Sequence, residues 1–320
     1  MRREAMVIAV LSGLGILSVC LGAAEARVQA GGQPASGQQV EKPPLYDEKA
    51  DAKALIAEAV KKASADNKRV LVMFGGNWCG WCHKLHATFE SDPQVKKALL
   101  YEYVRVNVDI GKWDKHMDLA EAYGAKLKDS GVPFLTVLDG SGKVVANQET
   151  GSLEEGDHHV PAKVLGFLNQ WKAPPQNADD VLKAGLSKAK AESKKVLVYF
   201  SAPWCGWCHR MTDWLATPEV SATIGKAYVP VKIDVDRMTG GKELDYKYRG
   251  SDQGGIPFFA VLDAEGVKLA DANHPEKGNV GFPAAPHEIE HFIAVVKKTG
   301  PQLSESDVAA LRKSLESAKP

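Results

Sequence analysis

Two short runs of consecutive apolar residues, Val70–Phe74 and Val196–Phe200, stand out along the chain. Both are rich in β-branched and aromatic residues, which is typical of strands buried on both faces of a sheet. Each run follows a segment whose apolar residues recur with the helical period, Lys53–Ala63 and Ala178–Lys190. The pattern therefore predicts a helix followed by a buried strand, twice along the chain.

After each strand come a helix, a second buried strand, a third strand with a hairpin partner, and a final helix. The second strands end at Asp109 and Asp234, and the third strands follow Pro133 and Pro257. The final helices are Val160–Trp171 and His287–Lys298, with a short extra helix over Ser304–Leu315. Strands that alternate with helices predict an α/β fold with helices on both faces of the sheet.

The two halves also repeat in sequence, at an offset of about 125 residues. The matched pairs are Trp78–His83 with Trp204–His209, Tyr103–Asp109 with Tyr228–Asp234, and Gly131–Phe134 with Gly255–Phe258. Each repeat is as long as a domain, so the chain is predicted to hold a tandem pair and not a solenoid. We place domain 1 at residues 46–173, domain 2 at 174–302 and a C-terminal tail at 303–320, with Ala173–Asn177 as a stiff linker.

The N-terminus has the pattern of a targeting segment. Arg2 and Arg3 precede an apolar stretch, Met6–Gly22, and Ala24–Ala26 fits the small-x-small pattern of a cleavage site. We therefore predict a signal peptide over residues 1–26 and a flexible linker over 27–45, which places the protein in the periplasm or outside the cell.

Two alternatives remain for this segment. The apolar stretch is almost long enough to stay in the membrane as an anchor. Leu17–Cys20 also resembles a lipoprotein box in which Cys20 would be acylated, although Val19 departs from the small residue usual there. Membrane association is expected only if the segment is retained or Cys20 is lipidated.

Composition narrows the possible partners. Lysine plus arginine equals aspartate plus glutamate, at 40 each, so the formal net charge is zero and gives no electrostatic reason to expect nucleic acid. Of the five cysteines, Cys20 would leave with the signal peptide. The other four form two C-x-x-C pairs, a spacing that indicates a redox or metal site and not a structural disulfide framework.

The position of these pairs suggests thiol chemistry. Cys79 and Cys205 lie where a strand meets a helix, and backbone N–H groups at a helix N-terminus stabilise a thiolate. We predict them as nucleophiles. Cys82 and Cys208, three residues on, would be the resolving thiols that release a mixed disulfide. Trp78 and Trp204 would form an apolar rim at the sulfurs, or would simply pack in the core.

The order of these parts resembles the thioredoxin superfamily, over nearly all of residues 46–300. The segment Ala202–Cys208 looks particularly like the active sites of protein disulfide isomerases. The resemblance implies two tandem thioredoxin-like domains, each a mixed central sheet flanked by helices. It also implies that Pro133 and Pro257 are cis prolines beside the cysteines, and that Val132 and Ile256 pair by their main chain with substrate.

Two features depart from the family pattern. The family often has a buried acid six residues before the first cysteine, where this chain has Met73 and Tyr199. The residue before the resolving cysteine is Trp81 or Trp207, where thioredoxins usually have proline and disulfide isomerases histidine. Because that residue tunes the reduction potential, the direction of electron flow stays open.

These observations predict an exported thiol–disulfide oxidoreductase that serves cell redox homeostasis. Its partners would be protein thiols and disulfides and an unidentified redox partner, and it would need no metal or other cofactor because the cysteines carry the electrons. A thioredoxin-fold binding module without redox activity is the main alternative.

Metal and haem interpretations also remain. Cys79–His83 and Cys205–His209 both match C-x-x-C-H, the attachment motif of c-type haem, with the histidines as iron ligands. The four cysteines could instead share a zinc ion. The segment Glu154–His159 holds carboxylates and imidazoles that could bind a metal, although a polar loop is the simpler expectation.

Overall fold

The two predicted buried strands lie at the centres of two four-stranded sheets. The structure, a computed structural model, describes residues 44–318. The predicted signal peptide, most of the predicted flexible linker and Cys20 lie outside the described residues.

Domain 1 follows the predicted order of elements. Its helices are α1 (Ala52–Ala65), α2 (Gly80–Ser91), α3 (Pro93–Glu102), α4 (Met117–Ala122), α5 (Leu127–Ser130) and α6 (Pro161–Trp171). Its strands are β1 (Arg69–Gly75), β2 (Tyr103–Asp109), β3 (Phe134–Leu138), β4 (Val144–Glu149), β5 (Glu154–Glu155) and β6 (His158–His159).

Domain 2 repeats this order. Its helices are α7 (Ala178–Ala191), α8 (Gly206–Ala216), α9 (Pro218–Ile224), α10 (Gly241–Arg249) and α11 (Pro286–Thr299), followed by α12 (Glu305–Ser317). Its strands are β7 (Lys195–Ser201), β8 (Tyr228–Asp234), β9 (Phe258–Leu262), β10 (Lys268–Asp271), β11 (Asn273–His274) and β12 (Gly278–Asn279).

Both sheets are mixed, which confirms the predicted fold class. The strand order is β2-β1-β3-β4 in domain 1 and β8-β7-β9-β10 in domain 2. The central strand pairs in parallel with the second strand and antiparallel with the third, with Val72 opposite Val106 and Val198 opposite Val231. The predicted ends of the second strands, Asp109 and Asp234, are confirmed.

Strand β1 is apolar from Val70 to Phe74 because helices cover both of its faces. Val70 and Phe74 belong to the same buried cluster as Ile56 of α1, whereas Met73 belongs to a second cluster with Leu85 of α2. Successive side chains of a strand point to opposite faces. The strand therefore shows a continuous apolar run instead of an alternation, and its carboxyl end leads directly into the first cysteine pair.

The predicted extra helix at the C-terminus is present as α12. Ser304 caps it, and its buried side chains Val308, Leu311 and Leu315 belong to the apolar core of domain 2. The indole nitrogen of Trp214 donates a hydrogen bond of 2.8 Å to Ser314 Oγ. The helix thus contacts the C-terminal half of α8.

Polar contacts join the two domains. The largely buried guanidinium of Arg237 donates hydrogen bonds to the carbonyl oxygens of Asp66 and Asn67, at 2.7 and 2.8 Å, and to Glu102 Oε2 at 2.9 Å. Lys232 Nζ lies 2.7 Å from Asp66 Oδ1. Domain 2 therefore binds the end of α1 and the end of α3 of domain 1.

Among residues 44–318, no helix has both the length and the apolar character needed to span a membrane.

Candidate functional site

The first cysteine of each pair is the N-cap of a helix. Cys79 and Cys205 have extended backbone conformations and directly precede α2 and α8. In each domain the backbone N–H of the resolving cysteine, Cys82 or Cys208, donates to the first sulfur at 3.1 Å. The same N–H also donates to the carbonyl oxygen of the first cysteine. The first sulfur thus shares a backbone N–H group and lies at the positive end of the helix dipole, both of which stabilise a thiolate.

Within each pair the two sulfurs are bonded to each other and differ in burial. The structure contains the disulfides Cys79–Cys82 and Cys205–Cys208. Cys82 and Cys208 are fully buried, whereas Cys79 and Cys205 keep 4 % of their surface exposed. Because only the first cysteine of each pair reaches the surface, the geometry supports its predicted role as the nucleophile.

A cis proline stands beside each disulfide. The peptide bonds Val132–Pro133 and Ile256–Pro257 are both cis, as the resemblance implied. The carbonyl oxygen of Val132 lies 3.6 Å from Cys79 Sγ, and that of Ile256 lies 3.5 Å from Cys205 Sγ. The structure therefore brings the predicted substrate-binding residues to the sulfurs, while their contact with substrate stays a prediction.

The tryptophans before the nucleophiles lie at the surface. Trp78 is 48 % exposed and Trp204 is 59 % exposed, so the alternative that they are core residues is wrong. The indole N–H of Trp78 donates to the Gly111 carbonyl, and that of Trp204 donates to Asp236 Oδ2 at 2.8 Å. Each indole is thus held in place with much of its surface open beside the sulfurs.

The tryptophans between the cysteines have different neighbours in the two domains. Trp81 contacts the imidazole of His159 edge-on, at 5.4 Å between ring centroids. Trp207 stacks on Phe282, with 6.2 Å between ring centroids, and stays exposed. The same motif residue therefore has a partly buried setting in domain 1 and an exposed one in domain 2.

The geometry does not favour the haem and zinc interpretations. The Nε2 atom of His83 lies 2.8 Å from the Asn77 carbonyl oxygen, and that of His209 lies 2.8 Å from the Pro203 carbonyl oxygen. Both rings therefore face the main chain that precedes the cysteines. The two cysteine pairs belong to separate domains, each with its own sheet, and the cysteines of each pair form a disulfide with each other. Their four sulfurs therefore do not converge on one ion.

The polar segment Glu154–His159 forms the small hairpin of β5 and β6 instead of an open loop. His159 is buried beneath it, and burial lowers the pKa of its imidazole to about 4. Its Nε2 atom lies 3.4 Å from Glu154 Oε1. In the part of the chain that the structure describes, no group of three or more metal-ligating side chains gathers here or elsewhere.

Sequence analysis missed one residue behind the first site. Tyr46 is fully buried in the cluster that contains Cys79 and Cys82, although it stands at the border of the predicted linker. A comparison of the two repeats could have indicated an additional side chain here, because Gly75 in domain 1 corresponds to the larger Ser201 in domain 2. The glycine leaves room for the tyrosine.

A family profile described as thioredoxin-like matches residues 51–140 and 177–264, more than half of the chain. Protein disulfide-isomerase erp38 of Neurospora crassa is 28 % identical over 176 residues, which are 55 % of this chain and 46 % of that protein. Protein disulfide-isomerase 1 of Dictyostelium discoideum is 29 % identical over 240 residues, 72 % of this chain and 58 % of that protein. The chain thus spans about half the length of these curated relatives.

Among solved structures, a disulphide isomerase from Xylella fastidiosa Temecula1 is 26 % identical, with a TM-score of 0.36, over 39 % of this chain and 95 % of that one. The profile match in both repeats, the two mixed sheets and the two helix-capping C-x-x-C pairs agree with one another. The chain belongs to the thioredoxin-like family.

Proposed function

We propose that this chain is a thiol–disulfide oxidoreductase that exchanges disulfides with protein substrates at Cys79–Cys82 and Cys205–Cys208. The observation that carries the proposal is the N-cap position of each first cysteine, where its sulfur accepts a backbone N–H and the residue, unlike its partner cysteine, reaches the surface. Relatives named protein disulfide-isomerases support the same chemistry.

The exchange balances without a further redox group. In the reducing direction the thiolate of Cys79 attacks a substrate disulfide, so that one mixed S–S bond forms and one substrate thiolate leaves. The sulfur of Cys82 then attacks Cys79 Sγ, which breaks the mixed bond and releases the second substrate thiolate. Two electrons and two protons pass to the substrate, and the enzyme disulfide remains. Cys205 and Cys208 act in the same way, and both pairs run in reverse when the substrate is a dithiol.

Substrate binding is assigned to the residues around each sulfur. The main chain of Val132 and Ile256, beside the cis prolines Pro133 and Pro257, would pair with an extended substrate segment. The exposed indoles of Trp78 and Trp204 would cover the apolar side chains of that segment. A partly unfolded protein supplies both kinds of contact, which agrees with protein thiols and disulfides as substrates.

Export is part of the proposal and rests on the N-terminal sequence. Residues 1–26 would be removed as a signal peptide, so the protein would work in the periplasm or outside the cell, where an unidentified redox partner recharges both sites. Mass spectrometry of the protein from its own cells tests this, since a mature chain that begins at Arg27 is expected. A chain that retains its N-terminus or carries lipid on Cys20 would contradict cleavage at this position.

Turnover of a disulfide-bonded substrate tests the redox function. The full chain is expected to accelerate the reduction of insulin by dithiothreitol. The double variant Cys79→Ser, Cys205→Ser should fall to the rate of dithiothreitol alone, because both nucleophiles are lost. The single variants Cys79→Ser and Cys205→Ser are the matched controls, since each keeps one intact cysteine pair and should retain part of the rate.

Equilibration with glutathione buffers then gives the direction of electron flow. Reduction potentials near about −270 mV would make the protein a reductant, and values near about −120 to −180 mV an oxidase or isomerase. If neither pair forms a disulfide at any glutathione redox potential and wild-type turnover equals the background, the proposed redox function is wrong. The alternative function, a thioredoxin-fold binding module without redox activity, would then replace it.

A further inference from the structure

A tyrosine hydroxyl approaches the resolving cysteine of domain 1. Tyr46 is fully buried, and within residues 44–318 its hydroxyl oxygen has no hydrogen-bond partner. A Cβ atom built on Gly75 would lie 2.5 Å from Cys82 Sγ and 2.8 Å from Tyr46 Cζ, and would overlap the hydroxyl oxygen. The hydroxyl oxygen and the sulfur therefore both border the space that the missing side chain of Gly75 leaves.

The hydroxyl can act here only as a neutral group. Burial is the main reason that its pKa is raised far above the usual value, and the nearby Asp109 carboxylate adds to the effect. The phenol thus keeps its proton at neutral pH. A buried O–H without a partner is unfavourable, because it has lost its hydrogen bonds to water. The hydroxyl would gain a hydrogen-bond partner if the nearby Cys82 sulfur became a better acceptor.

We propose that Tyr46 donates a hydrogen bond to Cys82 Sγ when the first site is reduced, and that this contact makes the Cys79–Cys82 pair easier to reduce than Cys205–Cys208. The inference rests on the proposed redox function. Reduction by a substrate dithiol moves two electrons and two protons to the pair, breaks its S–S bond and closes a disulfide in the substrate. The Cys82 sulfur so formed, as thiol or thiolate, accepts a hydrogen bond better than a disulfide sulfur does.

The segment that carries Tyr46 is held in place from two sides. Asn77 accepts from the backbone N–H of Tyr46 at 3.0 Å and donates to its carbonyl oxygen at 2.9 Å. Asn107 of β2 donates to the Leu45 carbonyl oxygen at 2.9 Å. Because Asn77 directly precedes Trp78 and Cys79 in sequence, the clamp fixes the tyrosine to the same segment that carries the nucleophile. A donor fixed in advance loses little entropy when it forms its bond.

Domain 2 lacks each part of this arrangement. Ser201 carries a Cβ atom at the position of Gly75, and Pro203 replaces Asn77, so the side-chain amide clamp cannot form. At the same offset of 126 residues, the position that corresponds to Tyr46 is Lys172, which directly follows α6 and has no hydroxyl. The contact is therefore specific to the first site, and the second site serves as a reference within the same molecule.

The test is the redox equilibrium of each pair in the variant Tyr46→Phe, which removes only the hydroxyl. The full chain is equilibrated with glutathione buffers, alkylated and analysed by mass spectrometry. The equilibrium constant for reduction of Cys79–Cys82 should fall about tenfold, which is about 30 mV more negative for a two-electron couple. The constant for Cys205–Cys208 should stay within twofold of the wild-type value.

Tyr103→Phe is the matched control. Tyr103 is a buried tyrosine of the same domain whose hydroxyl donates to the Leu168 carbonyl oxygen at 2.6 Å, away from the cysteines. Its loss should lower the stability of domain 1 without changing either redox constant. A purely structural role of Tyr46 would give the same result for Tyr46→Phe, because lower stability of both redox forms leaves the potential unchanged. An unchanged or increased constant in Tyr46→Phe overturns the proposal.

A measurement on the wild-type chain covers the case in which the variant does not fold. With tyrosine labelled by ¹³C at Cζ, the Tyr46 resonance should shift when the first site is reduced, while the Tyr103 resonance should not. A Tyr46 resonance that stays in place on reduction overturns the proposal. If instead neither cysteine pair exchanges with glutathione at all, the proposed redox function fails first, and the two failures are thus told apart.

Discussion

The two domains have matching residues on the solvent side of the disulfide, in front of the sulfurs, and different buried residues behind the sulfurs. On the solvent side both have a capping cysteine, a cis proline and an exposed tryptophan, at matching positions. Behind the sulfurs, domain 1 has Tyr46 and Gly75, while domain 2 has Ser201. The residues on the solvent side must have the geometry that thiol–disulfide exchange requires, whereas the buried residues on the other side only have to pack without cavities. Differences in the reactivity of the two sites are therefore expected to come from the residues behind the sulfurs and from the different neighbours of Trp81 and Trp207.

A buried ion pair also distinguishes domain 2. Arg249 Nη2 donates to Asp245 Oδ1 at 2.9 Å, and both side chains are buried. The guanidinium lies 4.3 Å from the ring centroid of Phe258, which directly follows the cis proline Pro257. Burial raises the pKa of Asp245 although the hydrogen bond with Arg249 opposes the shift. The pair thus supports the loop that carries the cis proline in domain 2.

The largest effect is expected from Asp245→Ala. The variant leaves the Arg249 charge buried without its partner, so the free energy of unfolding of domain 2 should fall by about 3–5 kcal/mol. Urea unfolding followed by hydrogen exchange of β7 and β1 reports the two domains separately, and domain 1 should change little. Lys183→Ala is the control, since its pair with Asp180 is exposed and 3.7 Å long, and it should cost under about 0.5 kcal/mol. An equally small loss for Asp245→Ala would show that the pair does not support domain 2.

A smaller difference is expected from acid. His159 in domain 1 has a pKa of about 4 because of burial, against 6.5 when it is exposed in the unfolded chain. Between these values the unfolded chain binds the proton and the folded domain does not, so stability falls as pH drops through this range. At pH 5 the loss should be about 1–2 kcal/mol for domain 1, measured by urea unfolding against pH 7.

His159→Gln should remove this part of the pH dependence. The same urea unfolding at pH 5 and pH 7 compares this variant with the wild-type chain. Equal acid sensitivity of wild-type and His159→Gln would contradict the assignment to this imidazole.

The smallest expected effects on stability come from replacing two helix glycines, Gly166 and Gly185, with alanine. Gly166 in α6 has open space around it, so Gly166→Ala should stabilise domain 1 by about 0.5–1 kcal/mol through the helix propensity of alanine. Gly185 in α7 faces the side chain of Val231, with which a Cβ atom would overlap, so Gly185→Ala should destabilise domain 2. Thermal unfolding of both variants checks the signs. Shifts of the same sign would mean that packing against β8 does not decide the outcome at Gly185.

Much of the fold could be predicted from sequence because its signals are local. The β-branched runs marked β1 and β7, and the C-x-x-C spacing marked the start of α2 and α8. The part of the site behind the sulfurs could not be predicted, because it depends on contacts between distant segments. Tyr46 reaches the site through Asn77, 31 residues further along the chain. His159 stands in a segment of charged residues, and its burial follows only from the way the hairpin packs onto Trp81.

In both domains the second strand of the sheet binds residues that come earlier in the chain. Asn107 and Lys232 occupy the same register on the second strands, opposite Met73 and Tyr199. Lys232 binds back to Asp66 of domain 1, whereas Asn107 binds back to Leu45. Each second strand thus binds a part of the chain that lies before its own domain, which is the segment around Leu45 for domain 1 and the end of α1 for domain 2.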